Sequence, residues 1–229
     1  MTREPLKIGV LGYRFMGRAH ANALARLPMF FPDAPDVERH TLVGRDEAAL
    51  ADAAERFGFA HTATDWEAAI DEVDVFYNLG PNSVHVDPAI AALEADTHVL
   101  CEKPLAPTLD GAQRMADAAA SSDALAGIGF NYRFVPAVRY AKRLVDAGEL
   151  GDIRHARFRY LQDWLVDADA PWSWRLDADA AGSGALGDLG AHSFDLARFL
   201  LGDVDAVSGH TETFVDERVP ESGGDPRPV

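Results

Sequence analysis

Residues Leu6–Ala21, LKIGVLGYRFMGRAHA, decide the fold of this chain. The apolar run from Leu6 to Leu11 has the length and composition of a buried parallel strand, Gly12 ends that strand, and Met16–Leu27 continues with helical spacing. Such a strand, tight turn and helix point the first backbone N–H groups of the helix, with their partial positive charge, at one spot. An anion suits that spot, and a pyrophosphate would fit it.

The spacing Gly12-x-x-x-x-Gly17 matches the first and third glycines of a dinucleotide-binding turn. Arg14 stands where the second glycine is expected, so a Cβ must be accommodated close to the pyrophosphate, and the guanidinium can compensate by lying along the phosphates. An ordinary glycine-rich loop is the alternative. The cofactor-binding residues predicted at this turn are Gly12, Arg14, Phe15, Met16 and Gly17.

Strands and helices alternate up to residue 131, which predicts an α/β fold with a doubly wound parallel sheet and right-handed crossovers. The predicted strands are Leu6–Leu11, Arg39–Val43, Ala60–Thr62, Val73–Leu79, Thr97–Cys101 and Ala126–Phe130. The predicted helices are Met16–Leu27, Glu47–Phe57, Trp66–Ile70, Val84–Ala95 and Leu109–Ser121, with a proline-rich loop at Pro28–Val37.

Ligands of such a sheet bind beyond the carboxyl ends of its strands. After the second strand, Gly44 and Arg45 suit a ribose 2′-phosphate, whereas Asp46 could still hold a 2′-hydroxyl. The sequence therefore favours NADP slightly and leaves NAD open; the plain alternative is a turn with a solvated Arg45. After the later strands, the predicted cofactor-binding residues are Gly80, Pro81, Asn82, His85 and Glu102.

Lys103 follows the fifth strand in the stretch Glu102-Lys103-Pro104-Leu105. Pro104 favours an extended Lys103, which directs one of only three lysines of the chain toward the ligand edge. A surface salt bridge with Glu102 is the alternative role.

From Val135 the pattern changes, and we predict a second domain at 132–229 after a first domain at 1–131. A helix at Val135–Ala147 precedes Ile153–Asp163, whose alternation is typical of one-sided antiparallel sheet. A helix at Gly187–Leu201 and a strand at Val204–Phe214 follow an aromatic loop. Because the chain stops soon after this strand, we expect an incomplete α+β domain with an open, mainly antiparallel sheet and an exposed edge that invites association.

The helix Gly187–Leu201 carries Asp188, His192 and Asp195 at i, i+4 and i+7, on one face. A carboxylate beside an imidazole fixes its tautomer and raises its pKa toward the range of a general base. A surface pair and a metal half-site are the alternatives, and we predict no metal.

Composition restricts the partners. The chain has 37 acidic and 21 basic residues and a net charge of −16, which argues against nucleic acid or an anionic membrane as partner. Acidity with scarce lysine is typical of proteins from salt-loving cells. With Cys101 as its single cysteine, and with no apolar run long enough to span a membrane, the chain is expected to be cytoplasmic.

These motifs together resemble those of the glucose-fructose oxidoreductase / inositol dehydrogenase / MocA family of Rossmann-type oxidoreductases. The resemblance covers essentially the whole chain and rests on GYRFMG, Gly80-Pro81-Asn82, Glu102-Lys103-Pro104-Leu105, Asn131-Tyr132-Arg133 and Asp188-x-x-x-His192-x-x-Asp195. Within the family, PMFF, YLQDW and SWR look most like the sugar dehydrogenases that act on levoglucosan.

The resemblance implies NAD(P)-dependent oxidation of a ring hydroxyl of a sugar, anhydrosugar or cyclitol, with a homo-oligomer formed through the second-domain sheet if that sheet is complete. It assigns catalysis to Lys103, Asp188 and His192, substrate contact to Lys103, Asn131, Arg133, Trp164 and His192, and the cofactor or substrate rim to Trp174 and Arg175. The rivals are a non-catalytic dinucleotide-binding protein, either a sensor or a truncated relic, and a reductase of a non-sugar carbonyl or imine.

Overall fold

The computed structural model describes residues 4–229. The chain folds into two compact units, one ending at Gly129 and the other spanning Phe130–Val229. None of the helices formed by these described residues is long and apolar enough to cross a membrane.

The first unit is built on a parallel sheet of six strands in the order β3-β2-β1-β4-β5-β6. This order confirms the predicted doubly wound sheet. The strand order reverses between β1 and β4, and in such sheets the ligand crevice lies beyond the carboxyl ends of the strands at that point. The strands are β1 Leu6–Leu11, β2 Val37–Val43, β3 His61–Ala63, β4 Val75–Asn78, β5 His98–Cys101 and β6 Ala126–Ile128.

The connecting helices are α1 Phe15–Phe30, α2 Glu47–Phe57, α3 Glu67–Ile70, α4 Val86–Glu94 and α5 Leu109–Ser121. Two apolar clusters hold them on the sheet. One includes Val10, Leu42 and Leu50, and the other includes Phe76 and Val99. Residues such as Val10, Leu42 and Phe76 are fully buried, as expected for strands of a parallel sheet that is covered on both faces.

The predicted loop after the first helix begins too early, because α1 continues through Pro28 to Phe30. The N–H of Phe31 donates to the carbonyl of Leu27, 2.9 Å away, on the far side of the proline. A proline near the end of a helix removes only its own hydrogen bond, so the helix carries its last apolar residues, Met29 and Phe30, into solvent.

The regular structure of the second unit consists of helices and a small antiparallel sheet, joined by long loops. Its helices are α6 Pro136–Asp146, α7 Ala178–Ala181 and α8 Ala191–Leu201, and its two short strands are β7 Glu217–Arg218 and β8 Arg227–Pro228. Together the two units have the predicted fold class.

Two strands predicted in this unit are wrong as strands: Ile153–Asp163 and Val204–Phe214 form no β-ladder with any described residue. Alternating apolar and polar residues favour an extended backbone with one buried face, but a strand also needs a partner for its N–H and C=O groups. Pairing is a property of two segments, and the alternation of one segment cannot supply it.

Candidate active site

The glycine turn after β1 has the tight geometry that the sequence predicts. Gly12 has φ of +104°, a conformation that side chains rarely adopt. A Cβ on Gly17 would lie 2.1 Å from the carbonyl oxygen of Gly12, so only hydrogen fits there. Arg14, the N-cap of α1, has φ of −80° and makes no side-chain capping bond within the described chain. The helix N-terminus therefore presents its N–H groups to an anion, and Arg14 occupies the second-glycine position with a negative φ.

An open cleft of about 320 Å³ lies beside this turn and is lined by Tyr13, Arg14, Arg18 and Arg56, among others. The arginines make the cleft attractive to phosphate groups, although Asp52 also lines it and pairs with Arg56 at 3.3 Å. That the turn and the cleft bind the phosphates of a dinucleotide stays a prediction.

The two charged residues of the loop after β2, Arg45 and Asp46, differ in their contacts. A Cβ on Gly44 would lie 2.3 Å from the ring of Tyr13, so this ring covers the glycine. Asp46 is the N-cap of α2, because one of its oxygens accepts the N–H of Ala49 at 3.1 Å. Arg45 is exposed. The capping bond uses one Asp46 oxygen, and the Arg45 guanidinium is left at the surface beside Gly44.

His85 connects the loop after β4 with the loop after β5. It is fully buried, and its Nδ1 and Nε2 lie 2.8 Å and 3.0 Å from the carbonyl oxygens of Pro104 and Gly80. Burial lowers the pKa of His85, against the opposite effects of these two carbonyls and of Glu102. His85 therefore fixes the two loops to each other. Its contact with the cofactor stays a prediction. The same holds for the cofactor contacts predicted for Pro81, which is exposed, and Asn82, which is buried.

The lysine loop, residues Glu102–Leu105, leaves the sheet next to the glycine turn. Glu102, buried at the end of β5, accepts the backbone N–H of Lys103 at 3.2 Å, and its Oε1 lies 3.0 Å from Nε2 of His20 on α1. A Cβ on Gly129 would lie 2.9 Å from the same carboxylate. Glu102 is thus held from three sides. Lys103 itself is partly buried and precedes a cis peptide bond to Pro104.

In the second unit, the predicted catalytic helix begins with an irregular turn. Residues Leu186–Gly190 form a π-helical turn that runs directly into α8. Asp188 lies in this turn, and its Oδ2 is 3.9 Å from Nε of Arg175. The Arg175 guanidinium lies over the ring of Trp174, 4.8 Å from its centroid. The structure therefore joins Asp188, Arg175 and Trp174, while the predicted contact of Asp188 with His192 stays a prediction.

His192, in the first turn of α8, is 7% exposed and lies among aromatic rings. Its imidazole stacks on Tyr132 with ring centroids 4.2 Å apart and planes 22° apart. Phe130 and Tyr160 approach at 6.3 Å and 5.8 Å. An apolar, shielded setting of this kind excludes water from a base and restricts the imidazole to one orientation.

Arg133 is bound by a carboxylate within its own unit. Its Nε donates to both oxygens of Asp195, at 3.0 Å and 2.9 Å, and its NH2 group makes a further short contact with Asp195. Asp195 is buried, whereas the Arg133 side chain is 40% exposed. The bidentate pair ties the segment before α6 to α8, and Arg133, like its exposed neighbour Asn131, remains only a predicted substrate residue.

The loop that follows Trp164 is fixed by a residue that the sequence does not predict. The buried guanidinium of Arg218 donates to the carbonyls of Leu165, Asp167, Ala168 and Ala170 at 2.7 to 3.2 Å. Nothing local in the sequence distinguishes this arginine from its exposed neighbours. Trp164 stays 44% exposed, available for the substrate contact predicted for it.

Two further residues that contact predicted site residues were not predicted. His20 follows Gly17 by three residues, which places it on the same side of α1, and this spacing could have marked it as a partner for the lysine loop. The stacked Tyr132 stands inside the Asn131-Tyr132-Arg133 motif, but its partner His192 is far away in sequence, so no local signal exists for the stack.

The six-stranded parallel sheet and its glycine turn define the Rossmann class of nucleotide-binding folds. Residues 6–130 match the oxidoreductase family with an NAD-binding Rossmann fold, and residues 138–226 match the GFO/IDH/MocA C-terminal domain. The chain therefore belongs to the GFO/IDH/MocA oxidoreductase family, as its motifs indicate.

Individual relatives are sugar dehydrogenases. Levoglucosan dehydrogenase of Pseudarthrobacter phenanthrenivorans is 42% identical over 224 residues, which cover 96% of this chain and 57% of the relative. D-xylose 1-dehydrogenase [NADP(+)] of Haloarcula marismortui is 35% identical over 182 residues, which cover 77% of this chain and 50% of the relative.

A solved structure of levoglucosan dehydrogenase in complex with NADH and levoglucosan superposes with a TM-score of 0.93 at 42% identity, covering 96% of this chain and 60% of that structure. The chain thus spans little more than half the length of the relatives that it matches.

Proposed function

We propose that this chain carries the dinucleotide site and the reacting groups of an NAD(P)-dependent dehydrogenase that oxidises a ring hydroxyl of a sugar, anhydrosugar or cyclitol. One observation carries the proposal: the glycine turn and the lysine loop lie on the same edge of one sheet. The N–H of Leu79 donates to Leu11 and that of Glu102 to Asn78, both at 2.9 Å. These bonds align the ends of β1, β4 and β5, so Lys103 leaves the sheet beside the nucleotide turn.

The residues that would hold the dinucleotide are those of the glycine turn with Arg14, the loops at Arg45 and Gly80, and the rim residues Trp174 and Arg175. When bound, the dinucleotide supplies a hydride acceptor at its nicotinamide. The exposed Arg45 and the capping bond of one Asp46 oxygen support a slight preference for NADP, and the second Asp46 oxygen leaves NAD open.

Lys103 orients the substrate hydroxyl and stabilises the negative charge that develops on its oxygen, because an ammonium group lowers the free energy of an alkoxide. The imidazole of His192 accepts the hydroxyl proton. Asp188, paired with Arg175, orients the substrate or the base. Trp164, Asn131 and Arg133 form the substrate wall, on which an aromatic face suits the apolar side of a sugar ring.

The test begins with fluorescence titration of the purified chain by NADH and NADPH, in low salt and in molar KCl, followed by turnover on a panel of sugars, inositols, imines and non-sugar ketones. We expect binding with turnover of ring alcohols, reduced about 100-fold or more in Lys103→Ala and in His192→Ala. Lys142→Ala is the matched control, since Lys142 pairs with Asp146 one turn away on α6. Arg45→Ala should weaken NADPH about tenfold and leave NADH unchanged.

The outcomes separate the rival functions. Binding without turnover on any substrate would identify a non-catalytic dinucleotide-binding protein. Turnover confined to imines or non-sugar ketones would identify a reductase, and equal loss of activity in Lys142→Ala would remove the special role of Lys103.

A further inference from the structure

Tyr132 and His192 form a parallel stack inside the second unit. Their ring centroids are 4.2 Å apart and their planes differ by 22°, whereas Phe130 meets the imidazole edge-on at 79°. The π face of Tyr132 therefore covers one face of the imidazole. An aromatic face attracts a cation through its quadrupole, so this contact is more favourable when His192 is protonated.

A hydrogen-bonded ladder holds Tyr132 in this position. Its hydroxyl lies 2.6 Å from that of Tyr160. The amide of Gln162 donates to the Tyr160 hydroxyl at 3.1 Å, and the indole N–H of Trp164 donates to Gln162 at 3.0 Å. These side chains of residues 160, 162 and 164 are therefore joined to one another in sequence. The ladder runs from the exposed Trp164 to the half-buried Tyr132, which stacks on the buried His192.

The phenol of Tyr132 remains neutral near physiological pH. The hydrogen bond with Tyr160, together with burial and the nearby charge of Asp188, raises the pKa of Tyr132 to about 12. A neutral phenol keeps its ring available as a cation acceptor and does not compete with His192 for the proton.

The charged groups around His192 are largely paired with one another. Asp188, in the preceding turn, faces Arg175 at 3.9 Å, and Asp195, on α8 itself, is bound by Arg133. Lys142 of the packed helix α6 lies over Phe199 and pairs with Asp146. The phenols of Tyr132 and Tyr160 also face the imidazole.

We propose that Tyr132 is a positioning residue for His192: its ring orients the imidazole and stabilises the imidazolium that forms when His192 takes the substrate proton, and the Tyr160–Gln162–Trp164 ladder keeps it there. The inference rests on the proposed function for its catalytic meaning. The stack itself exists without substrate, so it can be tested without turnover.

The test is an NMR titration of the histidine Cε1–H signals in the full chain, with His192 assigned from His192→Gln. In Tyr132→Leu, we expect the His192 titration midpoint to fall by about half a unit to one unit, because the protonated form loses its aromatic partner. Tyr132→Phe keeps the ring but loses the hydroxyl that joins it to Tyr160, so its midpoint should lie between those of the wild type and Tyr132→Leu. Tyr140→Leu is the control, since Tyr140 is 53% exposed on α6.

A His192 midpoint that is the same in Tyr132→Leu and wild type would overturn the proposal, as would an equal shift in Tyr140→Leu. If Tyr132→Leu does not fold, Tyr132→Met takes its place with the same expectation. If the chain oxidises a sugar, the acid limb of the pH profile of kcat/KM should lie at lower pH in Tyr132→Leu than in the wild type, in step with the NMR midpoint of His192. If no sugar is oxidised, the dehydrogenase proposal fails, and the NMR comparison still decides whether the stack tunes His192.

Discussion

Gly17 approaches Gly12 so closely that a Cβ on Gly17 would lie 2.1 Å from the Gly12 carbonyl oxygen. No side-chain rotation relieves this contact, because the opposing atom belongs to the backbone. We expect Gly17→Ala to destabilise the first unit by about 1–3 kcal/mol through overpacking and to weaken NADH binding, since the turn must open. Urea unfolding and NADH fluorescence measure the two effects.

The matched control for this substitution is Gly209→Ala, whose added Cβ would have no atom within 4 Å. Its free energy of unfolding should lie within about 0.5 kcal/mol of that of the wild type. Equal stability of Gly17→Ala and Gly209→Ala would show that the turn is looser than its geometry indicates.

Local sequence signals predict those parts of the fold that are fixed by local chemistry. The predicted bounds of Glu47–Phe57 and Leu109–Ser121 match α2 and α5 residue for residue, because Asp46 and Thr108 cap these helices from the adjacent position. The glycine turn was predictable for the same reason.

Contacts between distant segments were not predictable. The stack of Tyr132 on His192, the bidentate pair of Arg133 and Asp195, and the four carbonyl bonds of Arg218 each join residues roughly 50 to 60 positions apart. The prediction of a strand at Ile153–Asp163 failed for the same physical reason, because the sequence of one segment carries no information about the strand with which it would pair.

His85 should make stability depend on pH near neutrality. Burial lowers the pKa of His85 in the folded chain, so the unfolded chain binds a proton first as pH falls below about 6.5. The stability that this residue contributes is therefore present above that pH and is lost on acidification. The loss of unfolding free energy between pH 7 and pH 5.5 should be smaller in His85→Gln than in the wild type, and identical losses would contradict this role.

Cys101 should be inert in the native protein. It is buried, and burial, with the charge of Glu102, raises its thiol pKa to about 12. A thiol reagent at pH 8 should therefore label the chain only after denaturation. Because the pKa of the Cys101 thiol is higher in the folded chain than in the unfolded chain, the free energy of unfolding should also decline as pH rises from about 9 toward 12. This decline should be smaller in Cys101→Ala. Rapid labelling of the native chain would contradict the buried position.

Salt should stabilise this chain. A net charge of −16 repels itself in the folded state, and added ions screen that repulsion within a Debye length of about 10 Å at 0.1 M. We expect the thermal midpoint to rise between 0.05 M and 2 M KCl, and to rise similarly in NaCl, since screening depends on ionic strength. A flat or falling midpoint would remove the interpretation of the surface as adapted to salt.

The pair of Arg133 and Asp195 should matter more to the second unit than any surface ion pair. Arg133 donates from Nε to both oxygens of a buried carboxylate, and its hydrogen bond with Asp195 raises the pKa of Arg133 further. Arg133→Ala leaves that carboxylate buried without its donor, which costs about 1–3 kcal/mol or more for a charged group. Arg198→Ala, which breaks an exposed pair with Asp203, should cost at most about 1 kcal/mol. A double-mutant cycle of Arg133→Ala with Asp195→Asn, measured by urea unfolding, should then give a coupling free energy of at least about 1 kcal/mol. Additive effects of the two substitutions would mean that Arg133 acts elsewhere. The substrate role predicted for Arg133 would then gain support.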